Sequence, residues 1–273
     1  MLYTCEACSR KREARHPTIR LHLSIHESVD VIAKNKLVAH RGDPFNFPEN
    51  TVEGMNAAAT AGASYAELDI QYTADFVPLL YHDPDLQKIS GDPRVLAQTP
   101  WNEISQLPAN YPERFGTAFD DTRISTLSDL VDASANWPAM SLFVELKIES
   151  INHFGSERIV DDVFEKISDM ISRNQVAAVI SKHDVALQQM RQRSGLPIGW
   201  VVPDYNEANQ SRAKDMNFEF MFINQTRLDA WHAGHEKSET WVVYTVNDLE
   251  AAERYLDSGA DMIETDVFGK LAK

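Results

Sequence analysis

From residue 37 onward, short apolar runs alternate with longer amphipathic stretches, and this alternation limits the fold more than any other feature of the chain. The runs predict β-strands over Lys36–Ala39, Tyr65–Tyr72, Pro78–Tyr81, Ser141–Glu145, Ala177–Ile180, Ile198–Val202, Phe218–Ile223, Thr240–Tyr244 and Asp261–Glu264. Between most of them a helical period predicts helices over Thr51–Ala61, Thr126–Ala135, Glu157–Arg173, His183–Gln192, Glu207–Met216 and Asp248–Ser258. Repeated β-α units place strands parallel in one sheet, and eight or so of them over about 235 residues predict an α/β fold of the (β/α)8 TIM barrel type. Residues 83–125 break the rhythm. Pro84, Gly91, Pro93, Pro100, Pro108, Pro112 and Gly116 carry too much turn chemistry for a simple crossover, so this segment reads as a small insertion in a βα connection, over the face where barrels do their chemistry.

The N-terminal stretch is different in kind. Seven basic against four acidic residues give residues 1–36 a charge of +3, so the rest carries −18 of the total of −15. Residues 1–36 are therefore expected to be a loosely attached extension and 37–273 the barrel domain. Such an acidic body repels nucleic acid and anionic membrane, and any phosphorylated small molecule would need a local cation to approach it. No run of eighteen apolar residues is present, so no stable membrane insertion is expected. Arg10, Lys11, Arg12, Glu13 and Arg15 interrupt any apolar leader, which makes the cytoplasm the expected location. Cys5, Cys8, His22 and His26 have the spacing of a two-Cys two-His zinc site, but Arg12 stands where such a mini-domain wants an aromatic, and a loose tail is the preferred reading.

The chemistry-bearing residues interrupt apolar runs at their C-terminal ends. His40 and Arg41 end the first strand before the Gly42 turn. Glu67 and Asp69, two apart on one strand, share a face, and a divalent cation between them is the economical reason for such a pair in a strand otherwise suited to burial. His82 ends one later run, and Glu145 ends another with Lys147 beyond it. Glu67, Asp69 and Glu145 make an oxygen-rich set suited to Mg²⁺ or Ca²⁺. His40 and His82 have the pKa range for acid–base work, and Arg41 and Lys147 supply positive charge for a phosphate.

His40-Arg41-Gly42, Pro48-Glu49-Asn50-Thr51, Glu67-Leu68-Asp69, Thr73-Ala74-Asp75 and His82-Asp83, in that order and spacing, resemble the signature of the glycerophosphodiester phosphodiesterases. Ile124-Ser125-Thr126-Leu127, Val144-Glu145-Leu146-Lys147, Tyr244-Thr245-Val246-Asn247-Asp248 and the stretch from Gly259 to Asp266 extend the likeness over residues 36 to 270. The resemblance implies hydrolysis of small glycerophosphodiesters to glycerol 3-phosphate and an alcohol. It implies His40 and His82 as the acid–base pair, Glu67, Asp69 and Glu145 as metal ligands, and Arg41 and Lys147 on the phosphate. It also implies attack by a hydroxyl of the substrate's own glycerol and opening of a cyclic phosphate by water, although direct attack by water fits the residues equally well.

Three positions depart from the family pattern. Tyr244 replaces a Trp in the substrate pocket, Lys182 follows Ser181 where an aromatic is common, and Glu264 occupies a usually apolar position. Glu264 is expected at the rim, paired with a cation, because four carboxylates on one Mg²⁺ would be excessive charge. A lysophospholipase D would use the same chemistry with an apolar approach for an acyl chain. A metal-using barrel lyase or isomerase would share the carboxylates without needing two histidines beside an Arg and a Lys.

Overall fold

The strands form where apolar side chains occupy both faces of a run, and the computed structural model describes residues 31–272 apart from 138, 204–205 and 228–237. Cys5, Cys8, His22 and His26 lie outside the described residues. Eight strands are parallel: β1 (Leu37–Ala39), β2 (Tyr65–Tyr72), β4 (Ser141–Leu146), β5 (Val176–Ser181), β6 (Ile198–Val201), β7 (Phe220–Asn224), β8 (Thr240–Tyr244) and β9 (Met262–Thr265). β1 pairs with both β9 and β2, which closes the sheet into a (β/α)8 barrel. The crossovers carry α1 (Val52–Thr60), α2 (Leu127–Ser134), α3 (Ile148–Phe154), α4 (Ser156–Ser172), α5 (Asp184–Ser194), α6 (Glu207–Met216) and α7 (Leu249–Asp257), and α8 (Phe268–Leu271) follows β9.

The helices start where local chemistry can satisfy their first N–H groups. Thr51 accepts from Gly54 N at the head of α1, Asp248 accepts from Ala251 N at the head of α7, and Thr126 and Asp129 form a reciprocal capping box on α2. α3 was not expected from the sequence, since at seven residues it is too short for its period to stand out before the longer α4.

Period-two alternation divides the apolar residues into two cores. Inside the barrel, Val38, Phe143, Ala178, Ile180, Val201, Phe222, Val242 and Met262 form one cluster, with Phe143 edge-on to Phe220 and Phe222 at centroid distances of 5.0 and 5.1 Å. Leu37, Ala39, Leu68, Ile70, Val144 and Leu146 face the helices in the outer cluster. The interior plug matters for function because the next inward positions along β2, β4 and β9 are Glu67, Asp69, Glu145 and Glu264, whose carboxyls therefore sit on an apolar base with little water beneath them.

One strand differs from its expected role. β3 (Pro78–Leu80) is antiparallel to β2, with Ile70 opposite Leu80 and Tyr72 opposite Pro78. The cause is geometric. β1 pairs with β2 only as far as Ala66, so the edge of β2 above that point is open, and the chain folds back onto it. The insertion then builds a small core of its own from Leu79, Tyr81, Leu86, Ile89, Leu96, Ile104, Ala109 and Ile124 before the chain enters α2.

Candidate active site

A cavity of about 160 Å³ at the C-terminal ends of the strands is lined by His40, Arg41, Glu67, His82, Glu145, Lys147, Tyr244 and Glu264, with Ile180, Lys182, Val201, Phe222, Asn224 and Thr245 completing its wall. Seven of the eight residues expected at the site thus line one cavity. Asp69 lies directly beside it, bonded to Lys147 and Arg41.

His40 leaves the end of β1 and is held from β9. Its backbone N–H donates to Thr265 O at 3.1 Å, and its Nδ1 lies 2.6 Å from Asp266 Oδ1. With Nδ1 carrying the proton toward that carboxylate, Nε2 is left free to act. Burial and the neighbouring Arg41 lower the His40 pKa, outweighing the pull of Asp266 in the other direction. His82 follows β3, and its Nδ1 lies 2.6 Å from Oδ1 of Asp83. Gln71, buried on β2, donates to the carbonyls of His82 and Asp83 at 2.7 and 2.6 Å and so fixes the return of the hairpin. His82 therefore reaches the cavity at the end of an antiparallel strand that comes back down, not at the end of a barrel strand as expected.

The turn after His40 is tightly built. Arg41 adopts φ 51°, which turns its N–H toward Glu67 Oε2 at 3.2 Å. A Cβ on Gly42, where φ is +90°, would lie 2.8 Å from the Gly54 backbone carbon in α1, so only glycine lets the turn sit on the helix. The Arg41 guanidinium reaches Asp69 through Nε at 3.1 Å and Glu49 through Nη1 at 2.7 Å, and Lys88 from the insertion joins Glu49 at 2.6 Å.

Glu67, Asp69 and Glu145 are all buried, and an oxygen from each lies within 4.8 Å of the others, a spacing that one hard cation spans. Their electrostatics are unequal. Burial alone would raise Asp69, but Arg41, Lys147 and a hydrogen bond from Asn50 at 2.8 Å hold it well below the usual carboxylate range. Burial raises Glu67 and Glu145, and the neighbouring carboxylates add to the rise. Lys147 Nζ lies 3.3 Å from Asp69 and 3.2 Å from Glu145, and these partners raise its pKa despite its burial. The donor set fits a divalent ion.

Glu264 corrects an expectation. It is 3% exposed and lines the cavity, and among the described residues no cation lies within ion-pair distance of it. The register explains this: Glu264 is opposite Val38, below the level of His40, whereas a rim position would lie above it. Burial, then Glu145, raises its pKa far above the usual range. Tyr244 stands in the cavity wall, its hydroxyl pushed up to about 12 by burial and by Glu264. Lys182 is exposed at the cavity mouth.

Asp266, Asp83, Glu49, Asn50 and Gln71 were not assigned tasks from the sequence. Asp83 was the easiest to find, as an acid directly after a candidate histidine. Asp266 lies 226 residues from its partner, and only closure of the barrel brings them together.

The model of the glycerophosphoryl diester phosphodiesterase family matches residues 40–270. A mouse glycerophosphodiester phosphodiesterase 1 is 35% identical over 94 residues, 34% of this chain, and the match spans 28% of the mouse protein's length. The glycerophosphodiester phosphodiesterase of Caldanaerobacter subterraneus subsp. tengcongensis is 25% identical over 85% of this chain and 94% of its own. Among solved structures, an Oleispira antarctica phosphodiesterase in complex with the product sn-glycerol-3-phosphate superposes with a TM-score of 0.72 at 22% identity, covering 88% of this chain and 95% of that one. A glycerophosphodiester phosphodiesterase from Thermotoga maritima gives a TM-score of 0.65 at 20% identity, covering 86% and 95%. The two structural likenesses bear on the fold, and the family model extends the match through the whole set of cavity residues. The chain belongs to the glycerophosphoryl diester phosphodiesterase family.

Proposed function

We propose that the protein hydrolyses small glycerophosphodiesters, such as those left when phospholipids lose their acyl chains, to glycerol 3-phosphate and an alcohol. The observation that carries this reading is the meeting of two aspartate-held histidines with a group of three buried carboxylates, two of them lining the same cavity and Asp69 beside it. Glu67, Asp69 and Glu145 would hold Mg²⁺ or Ca²⁺, which when bound polarises the phosphoryl group and stabilises charge on its oxygens. Arg41 and Lys147, kept charged by Asp69, face the cavity as donors to the phosphate. His40, whose pKa burial and Arg41 lower, takes the proton of the attacking hydroxyl at Nε2. His82, nearer the solvent, gives a proton to the departing alcohol oxygen, and the two exchange tasks if a cyclic phosphate is then opened by water.

Among the described residues no helix is long and apolar enough to cross a membrane. A water-soluble substrate agrees with the small cavity, and the cytoplasm is the location this reading takes for the protein. The test is release of glycerol 3-phosphate from a panel of glycerophosphodiesters by purified protein supplied with Mg²⁺ or Ca²⁺. Release that stops on adding EDTA is expected. No release from any headgroup with either metal would overturn the reading.

A further inference from the structure

Glu264 is buried in the cavity wall with no side-chain partner among the described residues and no task in the chemistry above. Its Oε1 is out of contact with solvent and has no hydrogen-bond donor, and it stands outside the three-carboxylate group whose oxygens lie within 4.8 Å of one another. In the same wall Ile180, Val201 and Phe222 have no donor to give, and the Tyr244 hydroxyl, though near enough to be perturbed by Glu264, does not donate to its Oε1. A carboxyl buried without a donor costs free energy unless whatever fills the cavity supplies one.

The position of Glu264 indicates which part of a substrate that is. The side chain of His40 is 13% exposed and that of His82 is 34% exposed, so a diester lying between them has one alcohol enclosed on the His40 side and the other directed outward past His82. Glu264, a level below His40 on the neighbouring strand, faces the enclosed one. An ammonium there would have to lie near Arg41, Lys147 and the metal, whereas a neutral hydroxyl donates to a carboxyl without that repulsion. We propose that Glu264 is a specificity-determining residue that accepts hydrogen bonds from free hydroxyls of the enclosed alcohol, so that the site selects diesters whose enclosed half is a polyol. This rests on the phosphodiesterase reading and names the half of the substrate that the cavity inspects.

The experiment compares glycerophosphocholine with the phosphocholine diester of propane-1,2-diol, which keeps the secondary hydroxyl and lacks the terminal one. A site built around a hydrogen bond rejects an analogue that lacks the group, so the wild-type protein should favour the glycerol compound by about 100-fold or more in kcat/KM. Glu264→Leu should abolish most of that preference through loss on the glycerol compound, and Glu264→Gln, which retains an acceptor oxygen, should preserve much of it. Calorimetry on Ca²⁺-loaded protein gives a second readout, with glycerol 3-phosphate binding more tightly than propane-1,2-diol 1-phosphate in the wild type and not in Glu264→Leu. Ca²⁺ affinity without substrate should be unchanged in Glu264→Leu. An undiminished preference in Glu264→Leu would overturn the proposal, as would a loss of Ca²⁺ affinity like that of Glu67→Gln, which would make Glu264 a metal ligand. A wild type that cleaves neither diester speaks against the phosphodiesterase reading, and the two product-binding measurements then decide the role of Glu264 alone.

Discussion

His40 and His82 make the same hydrogen bond, Nδ1 to an aspartate oxygen at 2.6 Å, in very different settings. The partner of His40 comes from the far end of the chain across the seam between β1 and β9, and the ring is mostly enclosed. The partner of His82 is the next residue, the ring is more open, and the whole unit rides on a hairpin tied down by Gln71. The first arrangement depends on barrel closure. The second depends on local geometry, so the two should respond differently to damage.

The largest expected effect is common to both. His40→Ala and His82→Ala should each lower turnover by about 10²- to 10⁴-fold while Ca²⁺ binding, measured by calorimetry, persists. A His82→Ala enzyme with near-normal turnover would break the pairing and leave His40 as the single proton-transfer group.

The next effect should separate the two. Asp266→Asn should lower kcat more than tenfold or so, because asparagine can hold the imidazole in the wrong tautomer and the enclosed ring has few waters to replace the carboxylate. Asp83→Asn should cost less, since solvent reaches His82. Equal losses in kcat would mean that enclosure is irrelevant to the dyads.

A smaller and purely electrostatic difference follows from the pKa of His40. Burial and Arg41 lower it below the ordinary 6.5, while Asp266 opposes them. Removing that opposing carboxylate with Asp266→Asn should therefore lower it further, so the neutral ring persists to more acidic pH. Titration of the imidazole carbon signals by NMR checks the direction, and a rise in the variant would contradict the assignment of causes.

The smallest effects lie in the supports. Thr51 caps α1 directly after Glu49 and Asn50, which hold Arg41 and Asp69, and Thr126 caps α2 where the insertion ends. Thr51→Ala and Thr126→Ala should each cost about 1 kcal/mol in denaturant unfolding. Only Thr51→Ala should also reduce activity, because it loosens the loop behind His40. If Thr126→Ala does the same, the insertion controls the site more directly than its separate core suggests.

Much of this was legible beforehand because parallel strands bury both faces and carry their functional residues at one end. Apolar runs marked the strands, and the polar residues that ended them marked the cavity. Register and pairing partner were harder. Pro78–Leu80 has the composition of any buried strand, and nothing in it says that β1 leaves an open edge on β2 for it to occupy. Glu264 looked like a rim residue because its height depends on its pairing with Val38, a contact between opposite ends of the domain.

The sequence by itself determined the (β/α)8 repeat, the inserted segment and the identity of the polar residues, because strand periodicity, turn residues and interrupted apolar runs act over short stretches. The tertiary structure alone decided that Asp266 holds His40, that Arg41 and Lys147 together hold the Asp69 pKa low while burial outweighs Arg41 at Glu67 and Lys147 at Glu145, and that Glu264 faces the cavity with no side-chain partner among the described residues. Those outcomes depend on closure, register and burial, which set distances between residues far apart in the chain, and electrostatic energies in a weakly screened interior follow those distances.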